Sequence, residues 1–162
     1  MVKLKIDFSR FNLSVPVNIW DKNENRFREV VALFDTGAHT CSIDAEVFLN
    51  LGYNFDGAIK SAISTATRPH EVVNRVIVDK IKLEDMEINS VLFNTFEFPL
   101  SSRSIILGMN IIRHFEVNMN FKKRLITMHE NYDDDGGHYI ADIFGDWRAD
   151  SEIGSTNMED IL

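Results

Sequence analysis

Residues 30–44, VVALFDTGAHTCSID, place an acid directly behind an apolar run. Five apolar residues lead into Asp35, and Thr36 and Gly37 follow it. Burying an unpaired carboxylate costs free energy, so the acid is either a structural hydrogen-bond acceptor or is held there for chemistry. The glycine allows a close backbone approach, and the threonine hydroxyl can lock the turn by hydrogen bonding. By themselves the three residues favour an Asx-type turn, but the apolar run predicts a buried strand that sets the acid at depth.

Most of residues 1–130 alternate between apolar and polar positions, which is typical of β-strands. The predicted strands are VKLKIDF, LSVPVNIW, RFREVVALF, AIKSAISTA, EVVNRVIVDKIKL, EINSVLFNTFEF, RSIILG, EVNMNF and RLITM. A short helix is predicted in DAEVFLNLG, where Asp44 caps the start and Gly52 follows the end. Another turn or two of helix is predicted in MNIIRHF. Many short strands with little helix indicate a closed or sandwich-like β domain.

A second stretch, SIILGMNIIRHF at residues 104–115, follows the first by about seventy residues. The pair LFDTGA and IILGMN resembles the retroviral-type aspartic proteases, the retropepsin-like family. Those chains carry a strand ending in Asp-Thr-Gly-Ala and, later, two apolar residues, a glycine and an Asn or Asp that opens a helix. Asn110 stands at that last position. The resemblance covers about residues 13–128 and implies a mainly β, single-domain retropepsin-like acid-protease barrel with one or two short helices.

The resemblance also implies a mechanism, with Asp35, Thr36 and Gly37 as the catalytic triplet. In the family two aspartates face each other across a water, one ionised and one protonated, because neighbouring like charges do not both ionise. The ionised acid activates the water, which attacks the scissile carbonyl. This chain has one Asp-Thr-Gly, so the resemblance implies a homodimer in which each copy supplies Asp35. It implies no cofactor and no metal.

The substrate that the resemblance implies is a peptide or a protein. Its expected contacts are Ala38 and the tip of the flap hairpin, where STAT stands in this chain, and the residues concerned are Thr65, Ala66 and Thr67. His39 and Met109 stand where retroviral members usually carry an acid and an arginine. The alternatives are a catalytically silent binding module that keeps the fold, and a latent form whose C-terminal segment occupies its own cleft.

The net charge divides the chain near residue 130. Residues 131–162 hold nine acids and one base, whereas residues 1–130 hold 16 of each. We therefore predict a protease domain at 1–130 and an acidic, aromatic-containing extension at 131–162. The balanced domain offers no electrostatic footprint for nucleic acid. Within the extension, the apolar residues Ile140, Ile143, Phe144 and Trp147 have the spacing of one helix face, so we predict that this segment docks on the domain.

The remaining features point to no other chemistry. The first ten residues contain no apolar segment of signal-peptide type, and no run has the length of a membrane span, so a cytoplasmic protein without a membrane partner is expected. The single cysteine, Cys41, excludes an internal disulfide, and a small buried thiol is favoured over a nucleophile paired with His39. The five histidines show no metal-ligand spacing.

Overall fold

A computed structural model describes residues 1–9, 12–64, 69–98 and 104–130 of the chain. Its strands are β1 (Val2–Lys5), β2 (Ser14–Asp21), β3 (Arg26–Phe34), β4 (Cys41–Asp44), β5 (Ile59–Ile63), β6 (Glu71–Leu83), β7 (Met86–Phe96), β8 (Ile105–Leu107), β9 (Phe115–Asn120) and β10 (Leu125–Glu130). The helices are α1 (Ala45–Asn50) and α2 (Met109–Ile112). The predicted mainly β fold with two short helices is confirmed.

Seven strands form one sheet in the order β2-β3-β8-β4-β7-β6-β5. A further pairing of β2 with β6, through Asn18 with Lys82 and Ile19 with Ile81, closes six of them into a barrel. Strands β5 and β6 form an antiparallel hairpin that continues beyond this closure. Inward-facing residues such as Ile19 and Val78 are fully buried and fill the barrel. The predicted retropepsin-like barrel is therefore present.

A second sheet joins the two ends of the described chain in the order β1-β10-β9. Val2 and Leu4 of β1 and Ile126 and Met128 of β10 alternate with polar residues and are buried. The strand predicted over VKLKIDF is shorter than expected, because β1 ends at Lys5, and the Phe8 ring beyond it is exposed. Since β10 lies between β1 and β9, those two strands form the edges of this sheet among the described residues.

Helix α1 begins and ends where the sequence predicts. The Asp44 carboxylate accepts hydrogen bonds from the backbone N–H groups of Glu46 and Val47, at 3.0 and 3.2 Å, which satisfies two donors at the helix start. After the helix Gly52 adopts a φ of +83°, in the left-handed region that glycine occupies without strain. Phe48 and Leu51 are buried in the core.

Some predictions fall outside the described residues. These are the flap-tip residues Thr65, Ala66 and Thr67, and the docking of the segment within residues 131–162. The division of the chain near residue 130 stays a prediction. Among the described residues, no helix has both the length and the apolar character needed to cross a membrane.

Candidate active site

Strand β8 is inserted between β3 and β4, although β3 and β4 are separated by only six residues of chain. It runs parallel to β3 and antiparallel to β4. The Asp35 N–H donates to the Leu107 carbonyl at 3.1 Å, which extends the β3–β8 ladder by one residue beyond Phe34. The late IILG segment thereby fixes the position of the early Asp-Thr-Gly, and the two stretches that carry the resemblance lie side by side.

The turn at Asp35 is held by its own carboxylate. The Gly37 N–H donates to Asp35 Oδ1 at 2.8 Å, and the Ala38 N–H donates to the Asp35 carbonyl at 3.3 Å. The Asx-type turn that the bare triplet favours is therefore present. The Thr36 hydroxyl makes no hydrogen bond to any other described residue, so the prediction that it locks the turn is wrong for a single copy. Its exposed position leaves it available to a partner.

Asp35 is half-buried in one copy of the chain, and Thr36 and Gly37 are exposed. The prediction of a buried strand is correct for one face of β3 only, and the acid predicted to lie at depth is half-buried on the other face. Ala32 and Phe34 face the barrel and are buried, whereas Val31 and Leu33 alternate with them and are half-buried. Because successive side chains of a strand point to opposite faces, Asp35 shares the open face with Leu33.

Helix α2 is joined to the turn by two backbone hydrogen bonds. The Met109 N–H donates to the Ala38 carbonyl at 2.7 Å, and the Asn110 N–H donates to the His39 carbonyl at 3.0 Å. These bonds use donors that a helix start leaves without intrahelical partners. The helix start and the Asp35 turn therefore form one hydrogen-bonded unit.

The Asn110 side chain connects this unit to the barrel. Its Oδ1 accepts from the Cys41 N–H at 2.8 Å, and its Nδ2 donates to the Leu92 carbonyl at 3.1 Å. The amide carries both a donor and an acceptor, so one residue satisfies two backbone groups on different strands. Sequence reasoning recognised Asn110 as the last position of a motif and missed this role as a positioning residue.

Gly108 allows the closest backbone approach at the site. A Cβ atom at this position would lie 2.6 Å from the Thr40 carbonyl carbon and 2.8 Å from its oxygen. The Gly108 N–H also donates to Cys41 Sγ at 3.3 Å. The glycine of the late stretch is therefore required by packing between β8 and the start of β4.

Cys41 is a buried structural thiol, as predicted. It is fully buried, and desolvation raises the pKa of the thiol to about 12, so a thiolate nucleophile is strongly disfavoured near neutral pH. The expectation that Cys41 and His39 share one face is wrong. Strand β4 begins at Cys41, and His39 lies in the preceding turn with an exposed side chain.

The sheet face that carries Asp35 continues as a transverse row of residues, here called the cleft row, of which Ser42 and Asn94 are buried. Register pairs Leu33 with Ile106, Ile106 with Ser42, Ser42 with Asn94 and Asn94 with Arg75. Residues in register on neighbouring strands point to the same face. The row therefore runs from two apolar residues beside Asp35 to three polar residues at the base of the β5–β6 hairpin.

The described residues supply one catalytic-type carboxylate and no metal centre. The sequence contains a single Asp-Thr-Gly. No group of three or more His, Cys, Asp or Glu in the described ranges is placed to hold a metal ion. A closed barrel with an inserted strand, an Asp-Thr-Gly turn and the cleft row beside it is the arrangement that the resemblance to retropepsin-like proteases leads us to expect.

Comparison with known proteins supports the same class. The model of a protein family described as aspartyl protease matches residues 15–111, more than half of the chain, so the chain belongs to the aspartyl protease family and within it is retropepsin-like. A crystal structure of a retropepsin-like aspartic protease from Rickettsia conorii is similar in fold, with a TM-score of 0.56 and 15% identity, over 79% of this chain and 89% of that one.

A second solved structure, the retroviral protease-like domain of Ddi1 from Leishmania major, matches with a TM-score of 0.47 and 14% identity. It covers 75% of this chain and 95% of that one. No curated protein sequence matches the chain.

Proposed function

We propose that the protein is an aspartic endopeptidase that works as a homodimer, with Asp35 of each copy forming one shared site. The observation that carries the proposal is the placement of Asp35. Its backbone is fixed by the ladder to Leu107, its Oδ1 is held by the Gly37 N–H, and its side chain stands on the open face. A carboxylate fixed on one side and open on the other suits the activation of a water molecule.

One copy of the chain supplies one of the two carboxylates that the proposed mechanism needs. A two-fold axis beside the exposed Thr36 and Gly37 would bring the two Asp35 carboxylates together. One of the pair would then keep a proton, because two neighbouring carboxylates do not both ionise. The ionised carboxylate would take a proton from the attacking water, and the protonated one would donate to the developing oxyanion of the peptide carbonyl.

The terminal sheet supports a particular arrangement of the dimer. Strand β10 already has β1 and β9 as neighbours, which leaves β9 with one edge without a strand partner among the described residues. Strand β9 follows α2 after two residues, and α2 is bonded to the Asp35 turn. Two antiparallel β9 edges related by a two-fold axis would form one continuous six-stranded sheet beneath the shared site.

The proposed active-site role of Asp35 is tested with an Asp35→Asn variant and a peptide library assayed from pH 3 to pH 8. The two side chains are nearly equal in size, so the variant is expected to fold like the wild type and to cleave nothing. Mixing wild type with an excess of the variant is expected to suppress cleavage through dead heterodimers. Cleavage at the wild-type rate by the variant would refute the proposal.

The same assay separates an active enzyme from a silent or latent module. A wild-type protein that cleaves no peptide at any pH would favour a binding module. If truncation after Glu130 then released cleavage, the C-terminal segment would be identified as an inhibitor of its own cleft. Sedimentation of wild type and truncated protein at the assay concentration reports the dimer directly, so that loss of the dimer is not mistaken for loss of chemistry.

A further inference from the structure

The polar end of the cleft row contains two buried polar atoms that have no hydrogen-bond partner among the described residues. These are Asn94 Oδ1, an acceptor, and Arg75 Nε, a donor. Asn94 is only 5% exposed. The two residues are direct neighbours in the register of β6 and β7. Buried polar atoms are nearly always satisfied in folded proteins, so a donor and an acceptor left open side by side indicate a place for a third group.

The charge of Arg75 is also uncompensated by a neighbouring carboxylate. Arg75 takes part in none of the ion pairs of the described residues, although Arg26, Arg28, Lys22 and Lys80 each do. The next residue of the row, Ser42, is only 6% exposed and adds a hydroxyl. An arginine that stands without an ion pair beside an open acceptor favours a ligand with a side-chain carbonyl oxygen.

The position of these residues relative to Asp35 follows from the sheet. Leu33 stands two residues before Asp35 on the same face, and Asn94 lies three strands away from Leu33 along the row. At roughly 4.8 Å between strands, that separation is about 14 Å. An extended peptide advances roughly 3.3 Å per residue, so about four residues span the distance between a side chain packed on Leu33 and one beside Asn94.

We propose that Ser42, Asn94 and Arg75 form a specificity subsite that takes a carboxamide side chain of the substrate, glutamine or asparagine. The carboxamide nitrogen would donate to Asn94 Oδ1, and its oxygen would accept from Arg75 Nε. The apolar pair Leu33 and Ile106 would take an apolar residue next to the scissile bond. The substrate is therefore an extended peptide with an apolar residue at the cleaved bond and a carboxamide about four residues away on the same side. This inference rests on the proposed endopeptidase function.

The first test is a position-scanning peptide library cleaved by the wild type, by Arg75→Met and by Arg75→Lys. The wild type is expected to prefer glutamine over leucine by about tenfold or more at one position within four residues of the cleavage site. A leucine there would leave the buried Arg75 Nε–H without an acceptor. Both variants are expected to abolish this preference, because neither carries an Nε–H. Arg26→Met is the matched control, since Arg26 lies in the distant β2–β3 hairpin and pairs with Glu24.

The second test is a binding measurement that needs no catalysis. N-acetylglutamine methylamide and N-acetylleucine methylamide are titrated into wild-type protein, and the Arg75 Nε–Hε and Asn94 side-chain signals are followed by NMR. The glutamine probe is expected to shift both signals and the leucine probe neither. This result would stand even if the wild type cleaved nothing, so failure of the subsite and failure of the proposed function are distinguishable.

Three results of the peptide library would overturn the proposed subsite. One is a library preference for leucine, isoleucine or valine at every position. Another is a glutamine preference that survives Arg75→Met. The last is a preference for glutamate over glutamine. In that case the charge of Arg75 would recognise the substrate, and the Asn94 acceptor would have no role. In the binding arm, an equal response to both probes or a response to neither contradicts the proposal.

Discussion

Replacing Gly108 with alanine is expected to destabilise the protein severely, because the new Cβ would meet backbone on the neighbouring strand. The contacts would be 2.6 Å to the Thr40 carbonyl carbon, 2.8 Å to its oxygen and 2.9 Å to the Cys41 nitrogen. Overpacking of a tight site costs about 1–3 kcal/mol, and the upper end applies because backbone atoms have no rotamer by which to move aside. A loss of about 3 kcal/mol lowers the melting temperature of a domain of this size by about 10 °C.

The measurement is thermal and urea-induced unfolding of wild type, Gly108→Ala and a control, Gly57→Ala. A Cβ added at Gly57 would meet no atom within 4 Å, but this glycine has a φ of +75°. The control therefore isolates the cost of a left-handed alanine, about 1 kcal/mol. If Gly108→Ala melted with the wild type, or lost less stability than Gly57→Ala, the close approach of β8 to the start of β4 would be refuted.

Three further predictions concern hydrogen bonds and burial around the site. Asn110→Ala is expected to lose about 2–4 kcal/mol in urea unfolding, because it leaves the Cys41 N–H and the Leu92 carbonyl without partners. Asp44→Ala is expected to lose about 2 kcal/mol, since the carboxylate caps α1 and also accepts from the Phe98 N–H at 2.9 Å. Native Cys41 is expected to resist Ellman's reagent at pH 8 and to react only on unfolding. Burial raises the pKa of this thiol from 9.0 to about 12, so the unfolded chain loses the proton first, and the unfolding free energy falls as pH rises from 9 to 12.

Each of these predictions has its own control. Asn110→Asp keeps the acceptor for Cys41 and loses the donor to Leu92, so its stability should fall between those of wild type and alanine variant; equal stability of all three would contradict the role of Asn110. Asp44→Asn keeps one oxygen for the α1 cap and loses the acceptor for the Phe98 N–H, so its stability should lie between those of the wild type and the alanine variant; a wild-type stability for the alanine variant would argue against both bonds. The unfolding free energy of Cys41→Ala should fall less steeply above pH 9 than that of the wild type. Identical slopes would show that the thiol does not cause the pH dependence.

The local elements were predictable because each depends on neighbours in sequence. Period-two alternation identified the strands, and Asp44 with Gly52 marked the start and the end of α1. The pairing of the Asp-Thr-Gly and Ile-Ile-Leu-Gly stretches was predictable only through the resemblance to a family. Nothing in the local pattern shows that a strand near residue 106 lies between two strands that end and begin at residues 34 and 41.

Sequence reasoning missed local features as well as features that depend on register between distant strands. Thr36 carries a hydroxyl suited to a turn, yet the Asp35 carboxylate itself takes that role. Asn94 and Arg75 sit in two ordinary strand patterns, and only the pairing of β6 with β7 makes them neighbours. A one-residue change of register would place them on opposite faces, and no single-strand pattern fixes that choice.

The inserted strand also sets the order in which the site is built during synthesis. When residues 26–44 have left the ribosome, the residues of β3 and β4 are available to fold. Strand β8, which lies between them in the sheet, has not yet been synthesised. The N–H of Asp35 gains its ladder acceptor only when Leu107 emerges, about seventy residues later. Contacts of such long sequence separation form late, because the loop entropy is lost before any contact offsets it. A nascent chain therefore carries Asp35 without the strand that fixes it until most of the domain has been translated.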